Sequence, residues 1–513
     1  MAQAIAQTSG DAAEPSRALV TASLMLATIM QVLDTTIANV ALPSMTGDLG
    51  ASTDTITWVL TSYIVAAAIA TPLTGWMSDR FGRKQIFLTA TAGFVAMSMA
   101  CGLAWNLNSM VLFRLLQGVF GAAIVPLSQT FLLDAYPQEK HGQAMAMWGA
   151  GIMVGPIIGP TLGGWLTESY NWRWVFFINL PVGLIAFLGS SVSLPAVAKR
   201  VRRFDFFGFG MLAIAIGALQ LMLDRGGEVD WFSSPEIWIE LGLAVSGLWV
   251  FVIHILTHHD AFIDPHIFRD RNFVTGLVFI FVVGVILLAT LALLPPMLAA
   301  VFSYPTMTTG FVMAPRGVGT MISMLLVGRL VHRVDARFLV ATGLVLTALS
   351  LHMMTGFSPQ MDSHPIIVSG VVQGLGLGLV FVPLSTVAFA TLEARYRTDA
   401  TALFSLMRNI GSSIGISVVT AMLVKNIQIN HMEMSAGLTP FDSALRAALP
   451  SAASGDPTAL ARLDGLVNQQ ALMVSYVDDF KLMLLVTLAS LALVFLLRAP
   501  RKKTAEAPMA VAD

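Results

Sequence analysis

Asp34 stands in an otherwise uncharged apolar stretch from Ala18 to Pro43, within the run LDTTIANVALP. An ionisable group inside a membrane-length helix costs about 2.5 kcal/mol or more at the bilayer centre, so it faces a cavity or a partner and marks an ion or substrate path. Burial favours the neutral form of a carboxyl, which makes Asp34 a candidate proton carrier. The plain alternative is an aspartate at a helix end, but apolar residues continue past it to Leu42. Arg114 lies inside a second apolar stretch, and at about 100° per residue it shares a helix face with Gln117, Gly118 and Gly121. A guanidinium stays charged when buried, so Arg114 needs a carboxylate, backbone carbonyls or water unless it snorkels to an interface. Other chemistries lack their residues. There is no Walker-type loop, no H-E-x-x-H and no CxxC, so neither ATP nor a metal is implied. The single cysteine, Cys101, excludes an intramolecular disulfide, and His258, His259 and Asp260 are read as a solvated loop cluster.

These residues need helices to hold them. Of 513 residues, 56% are hydrophobic and 12% charged, against about 25% charged in soluble domains; the chain is an all-α polytopic membrane protein. With about 20 apolar residues per span, hydropathy yields fourteen segments, near 18–43, 55–77, 86–105, 109–131, 142–165, 174–196, 204–224, 236–257, 272–296, 307–328, 338–357, 364–390, 399–424 and 479–498. An even count puts both termini on one side. With that side cytoplasmic, inner loops and tails carry twenty Lys and Arg and outer loops four, as the positive-inside bias requires. Residues 1–17, which have no basic n-region or cleavage site, and 500–513 are expected to be cytoplasmic tails.

The chain repeats itself. PLTGWMSDRFGRK around Gly75 has a counterpart in LLVGRLVHRVDAR around Gly328; Gln117-Gly118 and Pro126-Leu127-Ser128 are echoed by Gln373-Gly374 and Pro383-Leu384-Ser385; Gly151 and Gly155 by Gly411 and Gly415. The offsets are 253, 256 and 260, a shift of eight helices. This predicts two parallel six-helix halves, 18–200 and 261–499, separated by an inserted helix pair at 201–260: a 6 + 2 + 6 plan with the substrate site between the halves.

GWMSDRFGRK (Gly75–Lys84) resembles the signature loop of the major facilitator superfamily, between segments 2 and 3. In that family the loop gates the cytoplasmic side. The resemblance assigns this role to Gly75, to Asp79, facing the start of segment 13 near Thr398–Thr401, and to Arg83, with Asp134 as its candidate partner. Gly82 allows the tight turn. GIMVGPIIGPTLGG (Gly151–Gly164) resembles the antiporter motif of segment 5, which accompanies exporters. Gly151, Gly155, Gly159 and Gly163 form a smooth stripe for close packing, and Pro156 and Pro160 are expected to kink the helix. RLLQGVFGAA (Arg114–Ala123) resembles the segment 4 motif and places Arg114 near the proton site. LDTTIANVALP, NWRWVFFINLPVG (Asn171–Gly183) and LQLMLDRGGEVDWFSS (Leu219–Ser234) resemble the EmrB-type branch of the fourteen-helix drug:proton antiporters, over residues 18–499.

Membership of that branch implies a bacterial inner-membrane, proton-driven exporter of diverse hydrophobic compounds, working with a periplasmic membrane-fusion adaptor and a TolC-type outer-membrane channel. It implies no enzymatic activity, no cofactor beyond the proton gradient and no nucleic-acid partner. Asp34 and Arg114 would couple protons. Gln31, Asn39, Gln117, Arg316, Gln373, Arg408 and Asn409 would line the substrate cavity, although Arg316 and Arg408 fit equally as structural arginines capped by carbonyls. The twenty-eight methionines suit an adaptable apolar surface. The insert at 426–477, with amphipathic stretches Ala444–Leu449 and Ala459–Met473, either caps the exit, meets the adaptor or stays partly disordered. A proton-coupled exporter or importer of one metabolite is the alternative on the same fold; a membrane enzyme or sensor would need a catalytic cluster or soluble domain that the chain lacks.

Overall fold

The computed structural model describes residues 17–52, 55–196, 199, 203–258, 261–331, 333–439, 443–453 and 455–497. The basic residues counted at Arg200, Arg202, Arg498, Arg501, Lys502 and Lys503, and the pair His259 and Asp260, lie outside them. Among the described residues, thirteen helices are long and apolar enough to cross a bilayer. They are α1 (Arg17–Asp48), α3 (Arg83–Gly102), α4 (Leu107–Ala135), α5 (Gln138–Ser169), α6 (Trp174–Ser193), α7 (Phe206–Arg225), α8 (Pro235–Thr257), α9 (Arg271–Phe302), α10 (Met307–Leu330), α11 (Ala336–Met354), α12 (His364–Ala390), α13 (Ala394–Ala436) and α14 (Pro457–Leu496). A bent pair, Thr55–Ala70 and Leu73–Phe81 meeting at 58°, completes the set as α2.

Proline chemistry explains the breaks. A proline has no N–H for the carbonyl four residues earlier. Pro72 caps the second piece of α2 at the bend. Pro126 denies a partner to the Ala122 carbonyl, and α4 breaks at Ala122–Ala123. In α5 the break falls at Met153 rather than at the expected prolines themselves. The cause is still Pro156, which leaves the Ile152 carbonyl without its helical donor.

The chain divides into two compact units. The first comprises the described residues of Met1–Pro137 and Val154–Phe204, hence α1–α4, the second piece of α5, and α6. Trp165 meets Tyr170 edge-on and Tyr170 meets Trp174 at a tilt, with centroids 5.6 and 5.9 Å apart, and all three are exposed, as residues of an interfacial aromatic belt are.

The second unit comprises the described residues of Gln138–Met153 and Asp205–Asp513. The first piece of α5 packs on α10 and α12: a Cβ on Gly328 would meet the Ala146 Cβ at 2.6 Å, and Trp148 stacks on Phe381. The inserted pair α7–α8 is fastened here, with Gln220 Nε2 donating to Ser413 Oγ (2.9 Å) and Ser417 Oγ to the Leu223 carbonyl (2.6 Å). Helices α13 and α14 run past their expected ends and take up most of the insert at 426–477. At 1.5 Å per residue, 43 and 40 residues span about 60 Å, twice the hydrocarbon core of about 30 Å. Asp456 caps the start of the α14 helix through Ala459 N, and contacts from Asn430 Nδ2 to Ser475 Oγ and His431 to Asp464, both 3.0 Å, hold the extensions together.

Candidate proton site in the first unit

Asp34 is 1% exposed and Arg114 is fully enclosed. Arg114 Nη1 donates to Asp34 Oδ2 at 2.7 Å. The other carboxylate oxygen accepts from Gln117 Nε2 at 3.0 Å and Asn179 Nδ2 at 2.7 Å. Arg114 in turn gives Nε to the Val59 carbonyl (3.0 Å) and shares Nη1 with Gln117 Oε1 (2.8 Å). Its guanidinium lies 4.3 Å from the Tyr63 ring centre and 5.7 Å from that of Phe176, near enough for cation–π attraction. Asn179 is itself held by Ser98 Oγ at 2.9 Å. Helices α1, α2, α3, α4 and α6 thus converge on one carboxylate. The expected pairing of Arg114 with Asp34, and the expected Arg114–Gln117 face, are both present in the geometry.

Three donors, one of them a charged guanidinium, thus converge on the two carboxyl oxygens of Asp34. A proton on Oδ2 would oppose the Arg114 Nη1–H.

The glycine stripe explains how α1 is held. Added Cβ atoms on Gly155, Gly159 and Gly163 would meet α1 at Val32 (2.9 Å), the Thr36 side chain and Ile37 (3.1 Å). The motif expected to serve packing thus presses its smooth face against the helix that carries Asp34, on either side of it in sequence. Gly118 likewise admits the Tyr63 carbonyl where a side chain would not fit, bringing α4 onto α2. Gly151 is buried in the first piece of α5, and Pro156 and Pro160 are half-buried in the second.

In the signature loop Gly82 adopts φ +100°, a conformation that favours glycine. Arg83 Nη1 pairs with Asp134 Oδ2 at 2.6 Å, joining α3 to α4. Gly75 is buried and Asp79 half-buried on the second piece of α2, while Thr398 and Thr401 are buried at the start of α13. Of the expected cavity residues, Gln117 belongs to the proton site. Gln31 is half-buried and Asn39 exposed on α1. In the second unit Arg316 is 5% exposed, Gln373 is fully buried and donates to Thr290 Oγ1 at 3.2 Å, and Arg408 and Asn409 are half-buried.

Sequence reasoning did not assign Asn179, Tyr63 or Ser98 to the site. Asn179 lay inside a quoted motif, as the one amide in the apolar run VFFINLPVG. That was a usable signal. Tyr63 acts through its ring face and Val59 through its carbonyl, and neither leaves a mark on residue type.

A model of the Major Facilitator Superfamily matches residues 24–416. The Multidrug export protein EmrB of Haemophilus influenzae is 38% identical over 427 residues, covering 83% of this chain and 84% of that protein. The Multidrug export protein EmrB of Escherichia coli K12 is 35% identical over 488 residues, covering 94% and 95%. The crystal structure of the human organic anion transporter MFSD10 superposes with a TM-score of 0.60 at 15% identity, over 92% of this chain and 100% of that one, and so shares the fold. With its paired helix repeats, its signature loop and these relatives, the chain belongs to the Major Facilitator Superfamily, and within it to the EmrB-type family of export proteins.

Proposed function

We propose that the protein is a drug:proton antiporter of the bacterial inner membrane, exporting chemically diverse hydrophobic compounds, with both termini cytoplasmic. The observation that carries the proton part is the Asp34–Arg114 pair, enclosed by Gln117 and Asn179. Export of many compounds is supported by the relatives named as multidrug export proteins and by the glycine stripe of α5 against α1.

In this reading the pair is the coupling device. With Arg114 engaged, Asp34 is an ion-paired carboxylate without a proton. When Arg114 withdraws, Asp34 takes a proton, because a bare carboxylate in that enclosure is costly. Substrate and proton then compete through one residue, which is antiport. The Arg83–Asp134 pair and Asp79 on the signature loop hold the cytoplasmic side while the halves rock. Gln31, Asn39, Gln117, Arg316, Gln373, Arg408 and Asn409 are the residues proposed to meet substrate.

We further propose that the chain is the pump of a tripartite assembly. The helical extensions of α13 and α14, about 30 Å longer than a bilayer core requires, offer an adaptor a rigid surface beyond the membrane, and a TolC-type channel would follow.

The test is reconstitution of the full chain in proteoliposomes loaded with a hydrophobic fluorescent dye. An imposed pH gradient should drive dye movement against its own gradient, and a protonophore should abolish it. Dye flux indifferent to the pH gradient would overturn the antiport reading.

A further inference from the structure

The second unit repeats the first with its charges moved. Thr290 follows Asp34 by 256 residues, as Gln373 follows Gln117, and the same contact recurs: Gln117 to Asp34 in one unit, Gln373 to Thr290 in the other. Gly374, the counterpart of Gly118, admits the Arg316 carbonyl as Gly118 admits that of Tyr63. Thr290 Oγ1 also approaches Met483 Sδ on α14 at 3.6 Å, where the first unit has Asn179 on α6. The position that holds a carboxylate on α1 is therefore a neutral hydroxyl on α9.

A carboxylate is nevertheless present one helical turn away. Ser475, Asp479, Met483 and Thr487 recur every four residues along α14 and are all buried. Asp479 is 0% exposed, and neither of its carboxyl oxygens has a hydrogen-bond partner among the described residues. The helices packed on α14 are α9, α11 and α13. Past Arg271 at its start, α9 carries no titratable residue; α11 offers Arg337 and His352; α13 offers Arg395, Arg397, Asp399, Arg408, Lys425, His431 and Glu433, with Tyr396. None of these is bonded to Asp479 among the described residues. On α14 itself, Asp464 is taken by His431 and Asp478 by Lys481 at 3.0 Å, and Tyr476 lies one turn away.

An ionised carboxylate with no donor and no counter-charge is far too costly in such a place, and the group neutralises instead. A metal cation is no substitute, since calcium-like ions need several oxygens around them, and the core cluster along this stretch of α14, with Met473, Tyr476, Phe480 and Met483, offers one phenol among otherwise apolar side chains.

We propose that Asp479 is a second proton-binding site, carrying its proton at neutral pH and giving it up to water only when α14 is wetted. Among the described residues each unit then holds one buried carboxyl, ion-paired in the first and bare in the second. This goes beyond the antiport reading and stands without it, because proton occupancy can be read whether or not the chain transports.

The experiment is pH-difference infrared spectroscopy on the reconstituted full chain, following the carbonyl stretch of protonated carboxyl groups. Wild type should show a buried, protonated-carboxyl band at neutral pH. Asp479→Asn, which keeps the shape of the neutral acid, should lose it, Asp34→Asn should keep it, and Asp479→Glu should shift it. A matching acid–base titration should count one proton fewer for Asp479→Asn. Should Asp479→Asn fail to fold, the shift in Asp479→Glu decides. A band that survives Asp479→Asn unchanged, or is unmoved in Asp479→Glu, overturns the proposal.

Discussion

Replacing Asp34 by Asn tests the ion pair in its most demanding setting. The substitution keeps the volume and removes the charge. Asn has one acceptor and one donor where the carboxylate has two acceptors. If Oδ1 faces Arg114 Nη1, then Nδ2 opposes the Gln117 and Asn179 amides; turned round, it opposes Arg114. At least one donor is orphaned, at about 1–3 kcal/mol, and a fully enclosed guanidinium loses its counter-charge. Breaking a buried pair from one side costs about 3–5 kcal/mol in all. Arg114→Met alone should cost a similar amount, by leaving a buried carboxylate with only two amide donors. The double variant removes both charges and should recover most of the loss; with singles of about 3 kcal/mol or more each and a double of about 1 kcal/mol, the coupling energy is about 5 kcal/mol or more. Reversible unfolding of the full chain in mixed detergent micelles measures all four corners of the cycle. Losses that add to within about 0.5 kcal/mol, as for independent sites, would refute the pairing.

Three further perturbations follow from the same geometry. Gly159→Val drives a branched side chain into Thr36; overpacking of about 1–3 kcal/mol should lower thermal stability and abolish dye export, whereas Ile158→Val on the exposed flank should leave both unchanged. Arg83→Gln should alter stability by about 1 kcal/mol or less, since the Arg83–Asp134 pair is partly solvent-exposed, yet lower the export rate in vesicles if the loop gates. Asp205 caps α7 through Gly208 N and holds Phe262 N and His254 at 2.8–3.0 Å. Burial opposes its charge, but these bonds prevail and hold the carboxyl below the usual 3.8. The stabilisation is therefore fully present above that value and lost only as the pH falls through the lower folded value, so a pH series of melting curves should show it intact from pH 5 to 8. Asp205→Ala should cost about 0.5–2 kcal/mol across that range.

The fourteen spans and the paired motifs were legible because a bilayer imposes one length and one polarity on every crossing. Asp34 and Arg114 were legible for the same reason, as charges where hydropathy forbids them. What escaped had a different cause in each case. Asn179 is an amide in an apolar run, but only its approach to Asp34 gives it a role, and Ser98, an ordinary residue for a helix, enters through its bond to Asn179. The break at Met153 was displaced because a proline acts on the carbonyl four residues before it. The extents of α13 and α14 were hidden because helix beyond the bilayer needs no apolar run, so hydropathy stopped near Lys425 and resumed at Asp479. Asp479 is the first residue of the expected span 479–498, whereas the helix begins about 20 residues before it, at Pro457.

Drug-evoked proton release tests the coupling claim most directly. Purified full chain in weakly buffered detergent, mixed with a hydrophobic cationic dye, should acidify the medium as substrate displaces the proton that Asp34 holds when Arg114 is withdrawn. Asp34→Asn should bind dye and release no proton. Release of equal size from wild type and Asp34→Asn would contradict the account and move proton coupling to another residue.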